Sequence, residues 1–207
     1  MSKTHIAIGV AAGLALAQTG SPESCVAAVV GGSLGGVIAD CDITPSKAHK
    51  DALIGRLIVV VIAAVSLAID YWQGTGLCRS LIENLGVRLI GGIALFAALT
   101  FVGGHTAHRS FTHSLVAMAC FCGAVWLVCA PLLPYFVVGY ASHLAMDVTN
   151  TQPIKLFWPV RKGVCLRLCH AKGVVNSALL VAGIAASALL LAYRLAPLAG
   201  VVISLGS

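Results

Sequence analysis

The chain has 207 residues, of which 59% are hydrophobic and only 10% charged, and its formal net charge is +6. A soluble domain has about 25% charged residues, so this composition, with a mean hydropathy of +0.98, excludes an ordinary soluble domain. It predicts an all-α integral membrane protein, because helices satisfy their own backbone hydrogen bonds in lipid. No cleavable signal peptide is expected, since little basic sequence precedes the first apolar stretch.

Apolar stretches separated by turn residues predict seven helices, at residues 5–18, 25–39, 53–70, 86–103, 113–130, 135–148 and 174–193. We expect them to form a single membrane-embedded domain over residues 1–207, with about five to seven membrane helices. The first two are short, because a 14-residue helix reaches only about 21 Å. They either cross the membrane at a thinned or protein-lined place or re-enter from one side.

Following these helices alternately across the membrane places all seven histidines on one side. Ten of the thirteen basic residues fall on that side too: Lys3, Lys47, Lys50, Arg56, Arg109, Lys155, Arg161, Lys162, Arg167 and Lys172. The positive-inside rule therefore places this face in the cytoplasm. Any single basic residue has the simpler interpretation that it sets topology or contacts lipid headgroups.

The eight cysteines include no Cys-x-x-Cys pair, and most of them lie in apolar stretches or basic loops. They are interpreted as small packing residues in a reducing environment. A metal cluster made by Cys165, Cys169 and His170 is the alternative.

The stretch HLAMD places His143 and Asp147 four residues apart, so both side chains lie on one face of a helix. An imidazole and a carboxylate on one face can hold a divalent cation. The alternative is a hydrogen bond between the two side chains within the helix.

The stretch DCD, with Asp40 and Asp42, follows a glycine-rich helix. Carboxylates at the C-terminal end of a helix oppose the helix dipole, and a cation would remove that conflict. The alternative is a solvated helix end. His5, near the start of the same hairpin, is a candidate metal ligand only because the topology places it beside Asp40.

The stretch HRSFTHS supplies His108 and His113 across a junction between a loop and a helix. Arg109 can clamp a phosphate or a carboxylate with its planar guanidinium. Ser110 or Thr112 is expected to cap the helix that begins here, and capping is also the simpler interpretation for Ser114.

Together these residues offer imidazole and carboxylate ligands, which suit Zn²⁺ best, with Mn²⁺ or Fe²⁺ as alternatives. There are more than four candidates, so either two metals bind or some residues only orient the others. A cation here would lower the pKa of a bound water and supply a nucleophile.

Five stretches resemble the YdjM-like family, LexA-regulated inner-membrane proteins described as metal-dependent hydrolases. They are HIAIGVAAG at 5–13, ADCD at 39–42, HRSFTHSL at 108–115, GYASHLAMDVT at 139–149 and FWPVRK at 157–162. The resemblance implies a multi-pass protein of the bacterial inner membrane. It also implies a metal site with His108 and Arg109 nearby, whose ligands are His5, Asp40, Asp42, His113, His143 and Asp147.

The leading hypothesis is a metal-dependent hydrolase at the cytoplasmic face that cleaves a phosphoester or ester of a lipid or lipid-linked substrate. Arg109, with Arg56, would neutralise the developing charge, and His108 or His49 would be the general acid. No nucleic-acid partner is expected, and the oligomeric state is left open.

Two other functions are compatible with these residues. A metal or proton transporter would need ionisable groups near the membrane midplane, and the midplane of each predicted helix is almost bare of them. A membrane protein whose metal only ties helices together would have a closed coordination shell, whereas a catalytic site keeps an open position.

Overall fold

The computed structural model describes residues 2–42, 49–74, 76, 86–168 and 173–200, which are almost entirely helical. Seven α-helices run in chain order: α1 Ser2–Leu16, α2 Pro22–Ile38, α3 His49–Gln73, α4 Val87–Gly104, α5 Leu115–Val128, α6 Leu133–Thr149 and α7 Val174–Leu195. Within these ranges there is no β-strand, only an isolated antiparallel bridge between Ile154 and Val164. The predicted all-α fold is confirmed.

Three helical segments in the described part of the chain have the length and composition to cross a membrane: Pro22–Asp42, Val87–Gly104 and Val174–Leu198. Three shorter apolar helices accompany them: Ser2–Leu16, Leu57–Gln73 and Leu115–Val128. These six apolar helices agree with the predicted five to seven. The 15 residues of α1 measure about 22 Å, so this helix is short, as predicted.

Helix α2 is longer than its sequence prediction of residues 25–39. It begins at Pro22, because the Ser21 side chain accepts a hydrogen bond from the Ser24 backbone N–H at 3.1 Å and caps the helix. At the other end a 3-10 turn, Ala39–Asp42, extends it and carries the two aspartates. The whole segment therefore reaches spanning length.

The centre of the bundle is α2, which packs against α1, α3 and α6. Inside the protein, 72% of its most apolar window is buried, compared with 11% for α4 and 6% for α7. The outer helices α4 and α7 therefore present their apolar side chains to lipid. Helix α2 packs between the helices that carry the polar residues.

Glycines allow α1, α2 and α6 to approach each other closely. A Cβ atom added at Gly36 would lie 2.6 Å from the carbonyl oxygen of His5, and one at Gly13 would lie 2.6 Å from that of Ala28. On the other face of α2, a Cβ at Gly31 would lie 2.8 Å from the carbonyl oxygen of Leu132. Small residues at membrane helix interfaces permit this contact between backbones, and it brings the polar ends of α1, α2 and α6 together.

One end of the bundle has the features of a membrane–water interface. The Arg88 guanidinium lies 5.1 Å from the centre of the Trp126 ring, and Trp72 is 90% exposed. Gly103, near the opposite end of α4, lies beside Thr112 and Cys41. Fifteen residues of helix separate Arg88 from Gly103, which corresponds to about 22 Å. The C-terminal end of α4 therefore lies close to the opposite edge of a hydrocarbon core that is about 30 Å thick.

The start of α5 differs from the prediction that Ser110 or Thr112 caps it. The helix begins at Leu115, and the Ser114 side chain caps it by accepting from the Ala117 backbone N–H at 3.1 Å. Thr112 instead donates its hydroxyl to Asp42. A 3-10 turn, Phe111–His113, precedes the cap, so His113 lies outside the helix. Sequence pattern alone missed this turn because three hydroxyl residues compete for one capping position.

Candidate metal centre

Four side chains from three separate segments meet at one end of the bundle. We call this group, Asp40, His113, His143 and Asp147, the cluster. His113 Nε2 lies 3.4 Å from His143 Nε2, 3.1 Å from Asp147 Oδ2 and 3.9 Å from Asp40 Oδ1. His143 Nε2 lies 3.7 Å from Asp147 Oδ2 and 3.8 Å from Asp40 Oδ1. Ligand atoms around a tetrahedral Zn²⁺, with bonds of about 2.0–2.1 Å, are about 3.4 Å apart. The spacing of these four atoms therefore matches that of a metal coordination shell.

The orientation of His143 leaves one ring nitrogen available as a ligand. Its Nδ1 lies 2.8 Å from the backbone carbonyl oxygen of Gly36. A carbonyl oxygen only accepts hydrogen bonds, so Nδ1 carries the proton and, in the neutral ring, Nε2 presents a lone pair. Such a hydrogen bond to the distal nitrogen is the usual support of a histidine that binds metal.

Asp42 and Thr112 orient His113 in the same way, with the proton on Nδ1 and the lone pair on Nε2. The His113 Nδ1 atom lies 3.3 Å from Asp42 Oδ2 and 3.1 Å from the Thr112 hydroxyl oxygen. The Thr112 hydroxyl donates to Asp42 Oδ2 at 2.7 Å, so its oxygen can accept the Nδ1 proton of His113. The Nε2 lone pair of His113 consequently points towards Nε2 of His143.

Two lone pairs that face each other at 3.4 Å repel unless a proton or a cation lies between them. Burial by itself would lower the pKa of His113, but its hydrogen bonds with Asp147 and Asp42 outweigh burial and raise that pKa to about 9. The surroundings therefore favour a positive charge at this position, and a divalent cation can replace the proton.

The charge balance of the cluster also fits one divalent cation. Asp40, Asp42 and Asp147 are buried and carry three negative charges when ionised. Arg109, whose Nη2 lies 3.4 Å from Asp147 Oδ1, supplies one positive charge. Because buried charge is costly unless it is compensated, the remaining two negative charges favour additional positive charge in the cluster. Protonated histidines supply it in the protein alone, and a divalent cation can supply it in their place.

His5 lies at the edge of this cluster. Its ring stacks on His143 with a centroid separation of 3.9 Å, and its Nε2 is 3.7 Å from Asp147 Oδ1. Its Nδ1 atom is buried and has no hydrogen-bond partner within the described part of the chain. His5, His143 and Asp147 form a second possible group of ligands that overlaps the first.

Both carboxylate oxygens of Asp42 are hydrogen-bonded. Its Oδ1 bonds to His108 Nδ1 at 2.7 Å, and its Oδ2 accepts from the Arg109 backbone N–H at 3.0 Å and from Thr112. His108 and His113 complete a third possible ligand group with it. The hydrogen bonds on both carboxylate oxygens give Asp42 the geometry of a residue that orients ligands.

Arg109 links the cluster to the segment after α6. Its Nη1 donates to the Gln152 carbonyl oxygen at 2.7 Å, and its Nε is buried without a hydrogen-bond partner among the described residues. Its φ of 63° lies in the left-handed region, where a residue with a side chain is strained. Backbone strain of this kind is concentrated at functional sites, and the unpartnered Nε–H can donate to an anion.

The remaining predicted residues have different positions. The side chain of His108 is 44% exposed, so it borders both the cluster and the surroundings of the protein. His49 is the first residue of α3 and Arg56 lies in its second turn, but their side chains are outside the described part of the structure. Cys169 and His170 of the alternative cysteine cluster also lie outside it.

Sequence reasoning missed two residues that support the cluster. The Ser2 hydroxyl donates to Asp40 Oδ2 at 3.0 Å, and no feature of the sequence indicates this contact. The Tyr140 hydroxyl donates to the backbone carbonyl of Thr112 and holds the turn that carries His113. Tyr140 precedes His143 by three residues and so shares its helical face, a spacing that could have identified it.

Comparisons with known proteins agree with a membrane location. The inner membrane protein YdjM of Escherichia coli (strain K12) is 39% identical over 61 residues, which cover 26% of this chain and 31% of that protein. The protein of the same name from Shigella flexneri matches to the same extent. These matches span about a third of the length of the curated relatives, and no solved structure matches.

The family comparison covers nearly the whole chain. The family model described as YdjM inner membrane protein matches residues 1–206. The match includes every segment that contributes to the cluster. This chain therefore belongs to the YdjM inner membrane protein family.

Proposed function

We propose that the protein is a metal-dependent hydrolase that cleaves a phosphoester or ester bond of a membrane lipid or lipid-linked substrate at the cytoplasmic face of the inner membrane. The observation that carries this proposal is the convergence of the two imidazole Nε2 atoms of His113 and His143 with Asp147 Oδ2, at separations of 3.1–3.7 Å. Two histidines and a carboxylate are a known ligand set of catalytic zinc.

The three closest atoms, from His113, His143 and Asp147, are assigned as the metal ligands, with Zn²⁺ as the expected cation. When bound there, a divalent cation acts as a Lewis acid and lowers the pKa of water. Asp40 Oδ1 lies farther from both imidazoles, at 3.8 and 3.9 Å, and Asp40 is the most exposed of these four residues at 7%. We assign Asp40 to accept the proton of the attacking water on its Oδ1 atom.

Arg109 and His108 are assigned to the substrate. The buried Nε–H of Arg109 is available to a phosphate or carboxylate oxygen, where a preorganised donor stabilises developing charge. His108 reaches the exterior while its Nδ1–H donates to Asp42, so the doubly protonated imidazolium can give its Nε2 proton to the leaving group and keep the bond to Asp42. His49 and Arg56 keep their predicted roles as an alternative acid and a second cation.

A lipid substrate is supported by the depth of the cluster. Gly103 of α4 borders Thr112 and Cys41, which flank the cluster, and lies about 22 Å along α4 from Arg88. That position is near the edge of the hydrocarbon core, where the ester and phosphate groups of lipids are found. The predicted excess of basic residues on this side supports the cytoplasmic orientation.

The test is hydrolysis by purified protein in nanodiscs, with Zn²⁺, Mn²⁺ or Fe²⁺ added, against a panel of phospholipids and lipid-linked phosphates. We expect turnover with one of these metals and its loss in Arg109→Gln, with metal content unchanged. His105→Ala is the matched control, because His105 is exposed and, among the described residues, its side chain contacts Phe101, through a 2.7 Å hydrogen bond to the carbonyl oxygen and through the ring. Tight metal binding without turnover under any of the metals would contradict the proposal.

The second candidate is a metal site that only ties the helices together. The observation that favours it is burial, since His5, His113, His143 and Asp147 are all at most 2% exposed. A structural site has no exchangeable water in its coordination shell. Mn²⁺-substituted protein examined by water-proton relaxation separates the two functions: an exchanging water supports the hydrolase, and its absence supports the structural site.

A further inference from the structure

We propose that residues 155–168, here named the basic loop, form a binding surface for negatively charged phospholipid in the leaflet at the metal-cluster end of the bundle. The loop holds that lipid beside the cluster, and the substrate is accordingly an anionic phospholipid. The identity of the substrate rests on the proposed hydrolase function, whereas the binding of anionic lipid does not.

The apolar half of this surface consists of exposed side chains that water alone would solvate poorly. Phe157, Val160, Leu166 and Leu168 are between 56% and 72% exposed. The loop itself is ordered around a buried Ile154, which pairs with Val164 through two backbone hydrogen bonds of 3.0 and 2.8 Å. Apolar side chains that project from an ordered loop at the level of the headgroups insert into the acyl boundary of a bilayer.

The polar half is entirely basic. Arg161, Lys162 and Arg167 are exposed and alternate with the apolar side chains along the loop. Among the described residues, Asp40, Asp42 and Asp147 are buried at the cluster, and no acidic side chain forms an ion pair with any of the three basic residues. Basic side chains at a membrane surface attract anionic lipid headgroups electrostatically. Because the apolar side chains insert into the bilayer and the basic ones attract negative charge, the surface favours an anionic lipid over a soluble anion.

The basic loop is fastened to the segment that carries the cluster. The Lys155 backbone N–H donates to the Arg109 carbonyl oxygen at 3.0 Å, and the Leu115 N–H donates to the Leu156 carbonyl oxygen at 3.0 Å. The rings of Phe111 and Trp158 are in edge contact, with centroids 5.2 Å apart. A lipid on the loop is therefore held against the same turn that positions Arg109 and His113.

At its C-terminal end the loop pairs with the end of α6. The N–H groups of Leu166 and Leu168 donate to the carbonyl oxygens of Val148 and Thr149 at 2.7 and 2.9 Å. Asp147 is the neighbouring residue on that helix. The surface is thus attached to segments on both sides of the cluster.

Trp158 provides a direct probe of this surface. The chain has three tryptophans, and the other two, Trp72 and Trp126, lie at the opposite end of the bundle and can be replaced by Phe. Full-length Trp72→Phe/Trp126→Phe protein is placed in two series of nanodiscs, in which brominated phosphatidylglycerol or brominated phosphatidylcholine is increased over the same range of mole fractions. We expect quenching of Trp158 fluorescence to require at least about fivefold less phosphatidylglycerol than phosphatidylcholine.

The triple variant Arg161→Gln/Lys162→Gln/Arg167→Gln should lose this preference, while Arg88→Gln, which removes one positive charge at the opposite end, should retain it. Equal quenching by the two lipids in the parent protein, or an unchanged preference in the triple variant, overturns the inference. Hydrolysis is measured on the same samples. A lipid preference without turnover counts against the hydrolase alone, and turnover without a lipid preference counts against the basic loop alone.

Discussion

The two ends of the helical bundle use charge at helix C-termini in opposite ways. At the end of the bundle opposite the cluster, here called the far end, Arg194 donates to the carbonyl oxygens of Leu14 and Ala15 at 3.2 and 2.6 Å. It also donates to the Thr19 hydroxyl at 2.8 Å. A cation at the C-terminus of α1 complements its dipole and satisfies its last carbonyls. The arrangement of Arg194 is therefore explained by its role in stabilising the end of α1.

At the cluster end, three carboxylates occupy helix C-termini. Asp40 and Asp42 follow α2, and Asp147 lies in the last turn of α6. Anions at these positions oppose the helix dipole, and their burial adds to the cost. The contrast teaches that the far end satisfies a helix C-terminus with a basic side chain of the protein, whereas the cluster end gathers carboxylates and imidazoles that can hold a cation.

The removal of one imidazole tests this difference with the largest expected effect. His143→Ala should lower the affinity for Zn²⁺ by more than about a hundredfold, because the loss of a ligand exceeds the ten- to hundredfold effect typical of groups that only orient ligands. Elemental analysis and chelator competition measure it. His105→Ala, which changes an exposed histidine at the same end, should bind metal like the parent. Equal metal content in His143→Ala and the parent would mean that the cluster is not the metal site.

Asp42→Asn is expected to weaken metal binding by about ten- to a hundredfold. The amide nitrogen can donate to His113 Nδ1, which reverses the tautomer and places a proton on Nε2. The same chelator titration measures the change. Glu23→Gln removes an acid from the first turn of α2, at the far end, and should have no effect. An affinity of Asp42→Asn equal to that of the parent would show that Asp42 does not orient His113.

Arg194→Gln should lower the free energy of unfolding by about 1–2 kcal/mol, because it removes hydrogen bonds to the end of α1. Thermal unfolding in detergent measures this loss, and Arg88→Gln is the control. Metal affinity should stay within about twofold of the parent value. A large loss of metal binding in Arg194→Gln would contradict the separation of the two ends.

Ser2→Ala has the smallest expected effect. It removes the hydrogen bond that holds Asp40, so kcat should fall about threefold while metal affinity stays unchanged. Ser33→Ala is the matched control, because in the described part of the chain the Ser33 hydroxyl donates to the Val30 carbonyl oxygen of its own helix, at 2.9 Å. A fall in metal affinity with unchanged kcat would instead identify Asp40 as a ligand.

Most of the fold could be predicted because apolar stretches and turn residues are local signals. All seven helices were expected, and the errors lie at their ends, as at Pro22 and Leu115. Helix boundaries depend on which side chain captures a backbone N–H, and Ser110, Thr112 and Ser114 were equivalent candidates in the sequence. The turn that contains His113 was decided by contacts of Thr112 and Tyr140 with other segments.

The sequence by itself determined the membrane character of the chain, the helices and the set of imidazoles and carboxylates on one side, because composition, periodicity and spacing are properties of the chain alone. The tertiary structure decided which of those groups meet and in which orientation. Close packing at Gly36 brings α1 against α2, and the bonds of Gly36 and Asp42 to the two histidines turn both Nε2 atoms towards one point. Residues far apart in the chain make those contacts, and no local pattern encodes them.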